Sequence, residues 1–358
     1  MNKGFIQAQP SFAWGPNIND ACHKHNRTIS KDRGLIYLGL ILSLVTINCY
    51  GVSRMQRESM LKKFFKDLPV LVTGGAGFIG SHVVEKLVEL GAIVTVLDDL
   101  SSGSLDNLER VREVVTLEIG SITDFETCLK ATRGKAVVFH LAAFISVPDS
   151  LQNPRRCYDV NVNGTLNLLE ACRQNGVERF ALSSSAAVYG SGHEICSEDA
   201  ATKPESPYGA SKLMDEILCQ QYARNFGMKT ICLRYFNVFG DRQNPNGAYA
   251  AVVAKFKHQM RNNLPVTIFG DGLQTRDFIH VTQVAEANLT LAMLEDESMT
   301  GEPYNIGTGK TVNLLELFDQ LKKEFPAYHE PLVFAPARPG DIKYSKADCH
   351  KYYETIGH

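Results

Sequence analysis

Tyr208 and Lys212 stand four residues apart in Pro207-Tyr208-Gly209-Ala210-Ser211-Lys212. Four residues is close to one helical turn, so a helix through this segment puts both side chains on one face. An ammonium beside a phenol favours the phenolate, and a phenolate is a usable general base for a substrate hydroxyl. Upstream, Ser183-Ser184-Ser185 closes an apolar run that reads as a strand. A serine hydroxyl at that strand end would bond the reacting oxygen and hold it against Tyr208. Alone, a Tyr-x-x-x-Lys pair is an ordinary helix-surface pair; only its company gives it chemistry.

That company includes Thr73-Gly74-Gly75-Ala76-Gly77-Phe78-Ile79-Gly80, with glycines at Gly74, Gly77 and Gly80. Gly74 suits a tight turn, Gly77 a close approach of phosphate to backbone, and Gly80 close packing of helix on strand. Phe78 and Ile79 open the following helix, whose N-terminus would face the phosphates. A glycine pattern is informative only in context, and here a strand precedes it and a helix follows. Asp98 ends the next strand, where a carboxylate accepts ribose hydroxyls and repels a 2′-phosphate. The expected cofactor is therefore NAD rather than NADP.

From Pro69 onward, strand, turn and helix repeat. PVLVT, AIVTVLDD, AVVFHLAA, RFALSSSAAVYG and KTICLRYFNVFG read as strands; SHVVEKLVELG, NVNGTLNLLEACRQNG and SPYGASKLMDEILCQQYARNFG read as helices. Alternation of this kind implies an α/β fold, a doubly wound parallel sheet of Rossmann type. Near-continuous apolar strands fit burial on both faces. After Gly240 the loops carry Gly, Pro and Asn, and the pattern predicts a smaller C-terminal substrate-binding lobe over the sheet's carboxyl edge.

The chain has 358 residues, 44% hydrophobic and 21% charged, with a formal net charge of −2. This is ordinary globular composition and gives no basic surface for nucleic acid. The nine cysteines include no CxxC pair, so zinc-ribbon and thioredoxin readings fail and no metal site is expected. They read as small buried apolar residues in a reducing compartment. The first 67 residues form an extension unlike the rest. Leu35 to Val52 is an uncharged stretch flanked by Lys31, Arg33 and Arg54, diluted by Ser43, Thr46 and Asn48. It reads as a segment upstream of a start at Met55 or Met60, as a membrane anchor, or as a docked helix. The expected location is cytoplasmic, with membrane contact only if that stretch is an anchor.

The glycine fingerprint, SSSAAVYG and SPYGASK together resemble the extended short-chain dehydrogenase/reductase family, most closely its UDP-sugar 4-epimerases, from about Pro69 to Ala347. The resemblance implies residues 68–240 as the NAD-binding domain and 241–358 as the UDP-sugar lobe. It implies Ser185 as the serine of a triad with Ser184 beside it, Tyr208 as the base and Lys212 as its partner. Asn161 in DVNVNGT would order the site. Leu141-Ala142-Ala143, Tyr235, Ser102, Gly103 and Ile122 would meet the cofactor. Asn237, Phe269, Arg276, Arg338 and Asp341 would hold the nucleotide, with Ser146 and Ser185 near the sugar. A planar guanidinium meets phosphate oxygens in pairs, which suits the two arginines. A homodimer through the helices bearing Tyr208 and Asn161 is implied as well. Relatives continue for a further helix beyond the equivalent of His358, so the lobe reads as C-terminally shortened.

Dehydratases of that family carry an acidic pair after the serine or threonine; here Ala186 and Ala187 follow Ser185. The expected reaction is thus C4 epimerisation through a transient 4-keto sugar. Ser345, four residues past Asp341, stands where glucose-restricted epimerases often have a bulky tyrosine. A small residue leaves room for an N-acetyl group, which favours UDP-N-acetylglucosamine, with UDP-glucose also accepted. The role such a resemblance implies is supply of the galacto-epimer to surface polysaccharides. The alternatives are a UDP-glucuronate epimerase or decarboxylase, a dehydratase, or a non-catalytic dinucleotide-binding protein.

Overall fold

Odd and even residues of the apolar strands divide between two cores, because successive side chains point to opposite faces. Val70 and Val72, Val137 and Phe139, and Ile231 and Leu233 enter one core; Leu71, Val138 and Cys232 enter the other. The computed structural model describes residues 54–244, 252–337 and 342–357. Three of the features singled out above, the Leu35–Val52 stretch, Arg338 and Asp341, lie outside the described residues.

The strands are β1 (Pro69–Thr73), β2 (Ile93–Asp98), β3 (Thr116–Ile119), β4 (Val137–His140), β5 (Arg179–Ser185), β6 (Lys229–Tyr235), β7 (Asn237–Phe239), β8 (Val266–Phe269), β9 (Thr275–His280), β10 (Thr300–Ile306), β11 (Thr311–Asn313) and β12 (Leu332–Ala335). The α-helices are α1 (Arg54–Phe65), α2 (Phe78–Glu89), α3 (Phe125–Thr132), α4 (Val147–Gln152), α5 (Pro154–Tyr158), α6 (Gly164–Asn175), α7 (Pro207–Phe226), α8 (Val252–Arg261), α9 (Val281–Ala292), α10 (Leu314–Lys322) and α11 (His350–Thr355). A π-helical segment, Asp159–Asn163, joins α5 to α6.

Seven strands form one sheet in the order β10-β6-β5-β4-β1-β2-β3, with every pairing parallel. The order reverses between β1 and β4, the switch point where ligands bind outside the carboxyl ends of such sheets. Residues of α1, α2 and α9 fill the core on one face; those of α3, α6 and α7 fill the other. Both α6 and α7 end on left-handed glycines, Gly176 and Gly227.

Two expectations change. The run from Lys229 to Gly240 is not one strand. It leaves the large sheet at Phe236, and β7 pairs with β9 in a three-stranded sheet, β11-β9-β7. The chain also returns to the large sheet after residue 240. There β10 pairs with β6, and Val284, Leu289 and Leu291 of α9 join the large core. A single cut in sequence therefore does not separate two bodies. The remaining elements have their own core of Val253, Phe256, Met260, Val266, Ile268, Leu317 and Phe318. Among the described residues no helix is long and apolar enough to cross a membrane, and all seven described cysteines are free and buried.

Candidate active site

The turn after β1 is built from glycine by necessity. Gly74 has φ +69°, and a Cβ there would stand 2.6 Å from the Ala142 amide nitrogen. At Gly80 a Cβ would stand 2.1 Å from the Gly74 carbonyl oxygen. The loop thus closes on itself and on the end of β4. Helix α2 begins after Gly77, which makes no side-chain cap bond. Its first N–H groups are left to serve an anion, which the helix dipole also favours.

Asp98 ends β2 beside this loop. Its Oδ2 accepts from the Ala76 N–H at 2.9 Å and its Oδ1 from the Leu100 N–H at 2.8 Å. Burial raises the carboxyl above its ordinary range, while the two backbone bonds oppose that. Gly103 packs against the other side of the loop, where a Cβ would meet the Ala76 carbonyl carbon at 2.8 Å.

A cleft open to solvent runs over the switch point. Gly74, Gly77, Phe78, Ile79, Gly80, Asp98, Ser102, Ile122, Leu141, Ala142, Ala143, Ser184, Tyr208, Lys212 and Tyr235 line it. Elements far apart in sequence thus bring the glycine loop and the Tyr-Lys pair to one surface. The cradle without Cβ atoms, the uncapped helix start and the acid at the strand end fit a dinucleotide.

Two further expected residues are not among those lining residues. Buried Asn161 accepts from the Phe144 N–H at 2.7 Å and donates to the Phe144 carbonyl at 3.1 Å and Ser211 Oγ at 2.8 Å. Ser185 Oγ accepts from the Ala187 N–H at 3.2 Å, forming the turn after β5. That turn packs on the start of α7, where a Cβ at Gly209 would meet the Ala187 carbonyl oxygen at 2.5 Å. Helix α7 itself is capped by Ser206, whose Oγ accepts from Gly209.

Ser184 has a different environment from Ser185, because neighbours on a strand face opposite sides. Its hydroxyl donates to Glu216, which binds Arg234 through two bonds of 2.9 and 2.7 Å. Arg234 goes on to Tyr189, and Tyr189 to Asn305. The Tyr235 hydroxyl donates to Asn288 at 2.8 Å; burial, with Tyr208 nearby, holds it well above its ordinary range.

Those expected nucleotide-binding residues that are described, Asn237, Phe269 and Arg276, are not in the cleft lining and sit on the smaller sheets. Asn237 on β7 donates to the Asp277 carbonyl at 3.1 Å. Arg276 is on β9 and half-buried, and Phe269 ends β8 with the Lys255 ammonium 5.7 Å from its ring. Ser345 is half-buried beside β9, its carbonyl accepting from the Asp277 N–H at 2.8 Å. Ser146 caps α4 by accepting from Asp149.

Sequence reasoning passed over other lining residues, Leu97, Asp99, Ser101, Gly120, Ile145 and Val160, and named Ser183, which also lines the cleft, only as part of the serine run. Asp99 and Ser101 follow Asp98 directly, so the strand-end argument that found Asp98 extends to them. It also passed over Asp215, which is fully buried 3.5 Å from the Lys212 ammonium.

Comparison with known proteins identifies the family. Residues 70–307 match the model of the NAD dependent epimerase/dehydratase family. A curated relative, the putative UDP-glucose 4-epimerase of Methanocaldococcus jannaschii, is 40% identical over 290 residues, covering 80% of this chain and 92% of its own. Among solved structures, the UDP-N-acetylglucosamine 4-epimerase from Methanobrevibacter ruminantium, in complex with UDP-N-acetylmuramic acid, is 38% identical with a TM-score of 0.77. That match covers 82% of this chain and 93% of that one. The UDP-glucose 4-epimerase of Thermus thermophilus, in complex with NAD, is 37% identical with a TM-score of 0.74, covering 81% and 94%. This chain belongs to the NAD-dependent epimerase/dehydratase family, and its cofactor is NAD.

Proposed function

We propose that this family member epimerises carbon 4 of a UDP-hexose, with UDP-N-acetylglucosamine as the preferred substrate and UDP-glucose as a second. The observation that carries the reading is that Tyr208 and Lys212 line the same cleft as the Gly74–Gly80 cradle. In that cleft Leu141–Ala143 and Tyr235 would flank the cofactor, Asp98 would take its ribose hydroxyls, and the start of α2 its diphosphate. When bound, NAD supplies a reversible hydride acceptor.

The chain's own work is proton transfer and anchoring. Tyr208 Oη takes the proton of the sugar's 4-hydroxyl and later returns it, while Ser185 steadies that oxygen. Lys212, one helical turn on, would present its ammonium on the same face of α7 as the phenol. Asn237, Phe269, Arg276, Arg338 and Asp341 hold the UDP end, and Ser146 borders the sugar. Binding energy spent on the remote nucleotide keeps the reacting sugar from escaping while it turns to present its other face.

The N-acetyl preference rests on Ser345. Its backbone lies beside β9, with its carbonyl accepting from the Asp277 N–H, and a small side chain at this position would leave space at carbon 2 that a tyrosine would fill. The absence of an acidic pair after Ser185 favours epimerisation over dehydration. The same reading includes a homodimer through α6 and α7, on which Leu166, Met214 and Ile217 are exposed apolar side chains.

The test is to incubate purified protein, without added NAD, with UDP-N-acetylglucosamine and with UDP-glucose, and to resolve the epimers. Both galacto-products are expected, the N-acetylated one faster. A 4,6-dehydrated or decarboxylated product, or none, would overturn the reading. Equal rates would remove the Ser345 argument and leave the rest.

A further inference from the structure

We propose that Asp215 is a positioning residue for the Tyr208–Lys212 pair: it holds the buried Lys212 ammonium, and its charge sets the pH range over which Tyr208 accepts a proton. The inference rests on the reading of Tyr208 as the base.

Lys212 is 2% exposed and Asp215 is wholly buried, with Nζ and Oδ2 3.5 Å apart. A buried ammonium needs a partner, and among the described residues this is the ion pair Lys212 makes. The second carboxylate oxygen, Oδ1, is buried with no hydrogen-bond partner among the described residues. The charged carboxylate is therefore only partly satisfied, and protonation is within reach.

The groups facing Asp215 come from three elements. On its own helix are Lys212 and Glu216; the latter is engaged by Arg234 of β6. From α6 comes the Thr165 hydroxyl, which favours the charged carboxylate. From α5 comes Cys157, buried, its thiol raised mainly by desolvation. Behind Thr165 lies His140 of β4, whose Nε2 is 2.9 Å from Thr165 Oγ1 and whose Nδ1 is 2.7 Å from Thr73 Oγ1.

His140 is neutral, since burial and the Lys212 charge push it down to about 3. One ring nitrogen then donates and the other accepts. The Ala142 N–H donates to Thr73 Oγ1 at 3.3 Å. With the Thr73 hydroxyl donating to Nδ1, Nε2–H donates to Thr165, and the Thr165 hydroxyl is free to donate to Asp215. A single direction of donation thus runs from the cleft wall at Ala142 to the carboxylate behind Lys212.

Burial pushes the Asp215 carboxyl up to about 7 against the pull of Lys212 and Thr165. Above that pH the Lys212–Asp215 pair is net neutral, and the ammonium's hold on a Tyr208 phenolate is offset. Below it Asp215 is protonated, the ammonium is uncompensated, and the phenolate is favoured again. The charged carboxylate thus holds the phenol protonated to higher pH than Lys212 alone would.

The test is a pH titration of the holoenzyme labelled with 13Cζ-tyrosine, the Tyr208 resonance being identified by its loss in Tyr208→Phe. In Asp215→Asn that resonance should titrate lower by about half a pH unit, as expected for one charge removed roughly 10 Å away along the helix. Asp215→Ala should shift it the same way, and Asp215→Glu should keep the wild-type position. An unchanged or higher midpoint in either neutral variant that folds overturns the proposal. Because the resonance is read without turnover, the wild-type product assay reports separately on the epimerase reading.

Discussion

Asn161 Nδ2 lies 2.8 Å from Ser211 Oγ, and Ser211 Oγ in turn donates to the Tyr208 carbonyl at 2.8 Å. One side chain from the π-helical segment therefore ties the loop after β4, through both polar groups of Phe144, to the turn of α7 between Tyr208 and Lys212. Asn161→Ala leaves the part-buried Phe144 N–H and carbonyl without that partner. A loss of roughly 3 kcal/mol is expected from the urea midpoint, at about 1–3 kcal/mol for each group left unsatisfied. Turnover should fall by about tenfold or more through misplacement of Tyr208. Asn161→Asp keeps the acceptor for Phe144 but not the donors, and should lie between.

Gly80 faces the Gly74 carbonyl so closely that alanine cannot be accommodated by rotating a side chain, since both sides are backbone. Gly80→Ala should purify largely without NAD, measured by releasing bound nucleotide with acid. Gly134 also has positive φ, at +68°, but nothing lies within 4 Å of its would-be Cβ. Asparagine tolerates that conformation, so Gly134→Asn should keep its NAD.

The glycine loop, Asp98 and the Tyr-Lys pair were legible because their evidence is local. A turn between strand and helix, a strand end and an i,i+4 spacing are all written in consecutive residues. What was not legible depends on pairing across the fold. Nothing in KTICLRYFNVFG says that β7 will leave the large sheet for β9, or in TGEPYNI that β10 will return to it. The contrast between Ser184 and Ser185 turns on Glu216 and Arg234, which arrive from α7 and β6. Asp215 reads as a surface charge on a helix until α5 and α6 close over it.

Acid should destabilise the protein through His140. Its pKa falls from an ordinary 6.5 to about 3 in the fold, chiefly by burial. Between those values the unfolded chain binds a proton that the native state does not. Stability from this residue is therefore complete above 6.5 and is lost as pH falls towards 3, by roughly 1.4 kcal/mol per pH unit. The melting temperature of wild type should drop more between about pH 6.5 and about pH 4.5 than that of His140→Gln, which keeps polar groups there without a proton to gain. Equal drops would place the acid sensitivity elsewhere.

The Glu216–Arg234 pair predicts how the serines divide. Both members are nearly inaccessible, at 2% and 5% side-chain exposure, and the carboxylate also accepts from Ser184. Arg234→Met strands that carboxylate in the interior, with an expected cost of about 3–5 kcal/mol. Adding Glu216→Gln, which removes the uncompensated charge, should recover part of the loss. Ser184→Ala deletes one donor to a carboxylate that Arg234 still satisfies, so it should cost about 1–2 kcal/mol of stability and little turnover. Ser185→Ala and Tyr208→Phe should do the reverse, leaving the melting temperature near wild type and NAD bound while turnover falls, nearly completely for Tyr208→Phe. Parallel chemical melts and product assays on the five variants check this. If Ser184→Ala lost turnover while Ser185→Ala kept it, the hydroxyl that steadies the reacting oxygen would belong to the Ser184 face of β5, and Glu216 would stand behind the chemistry rather than beside it.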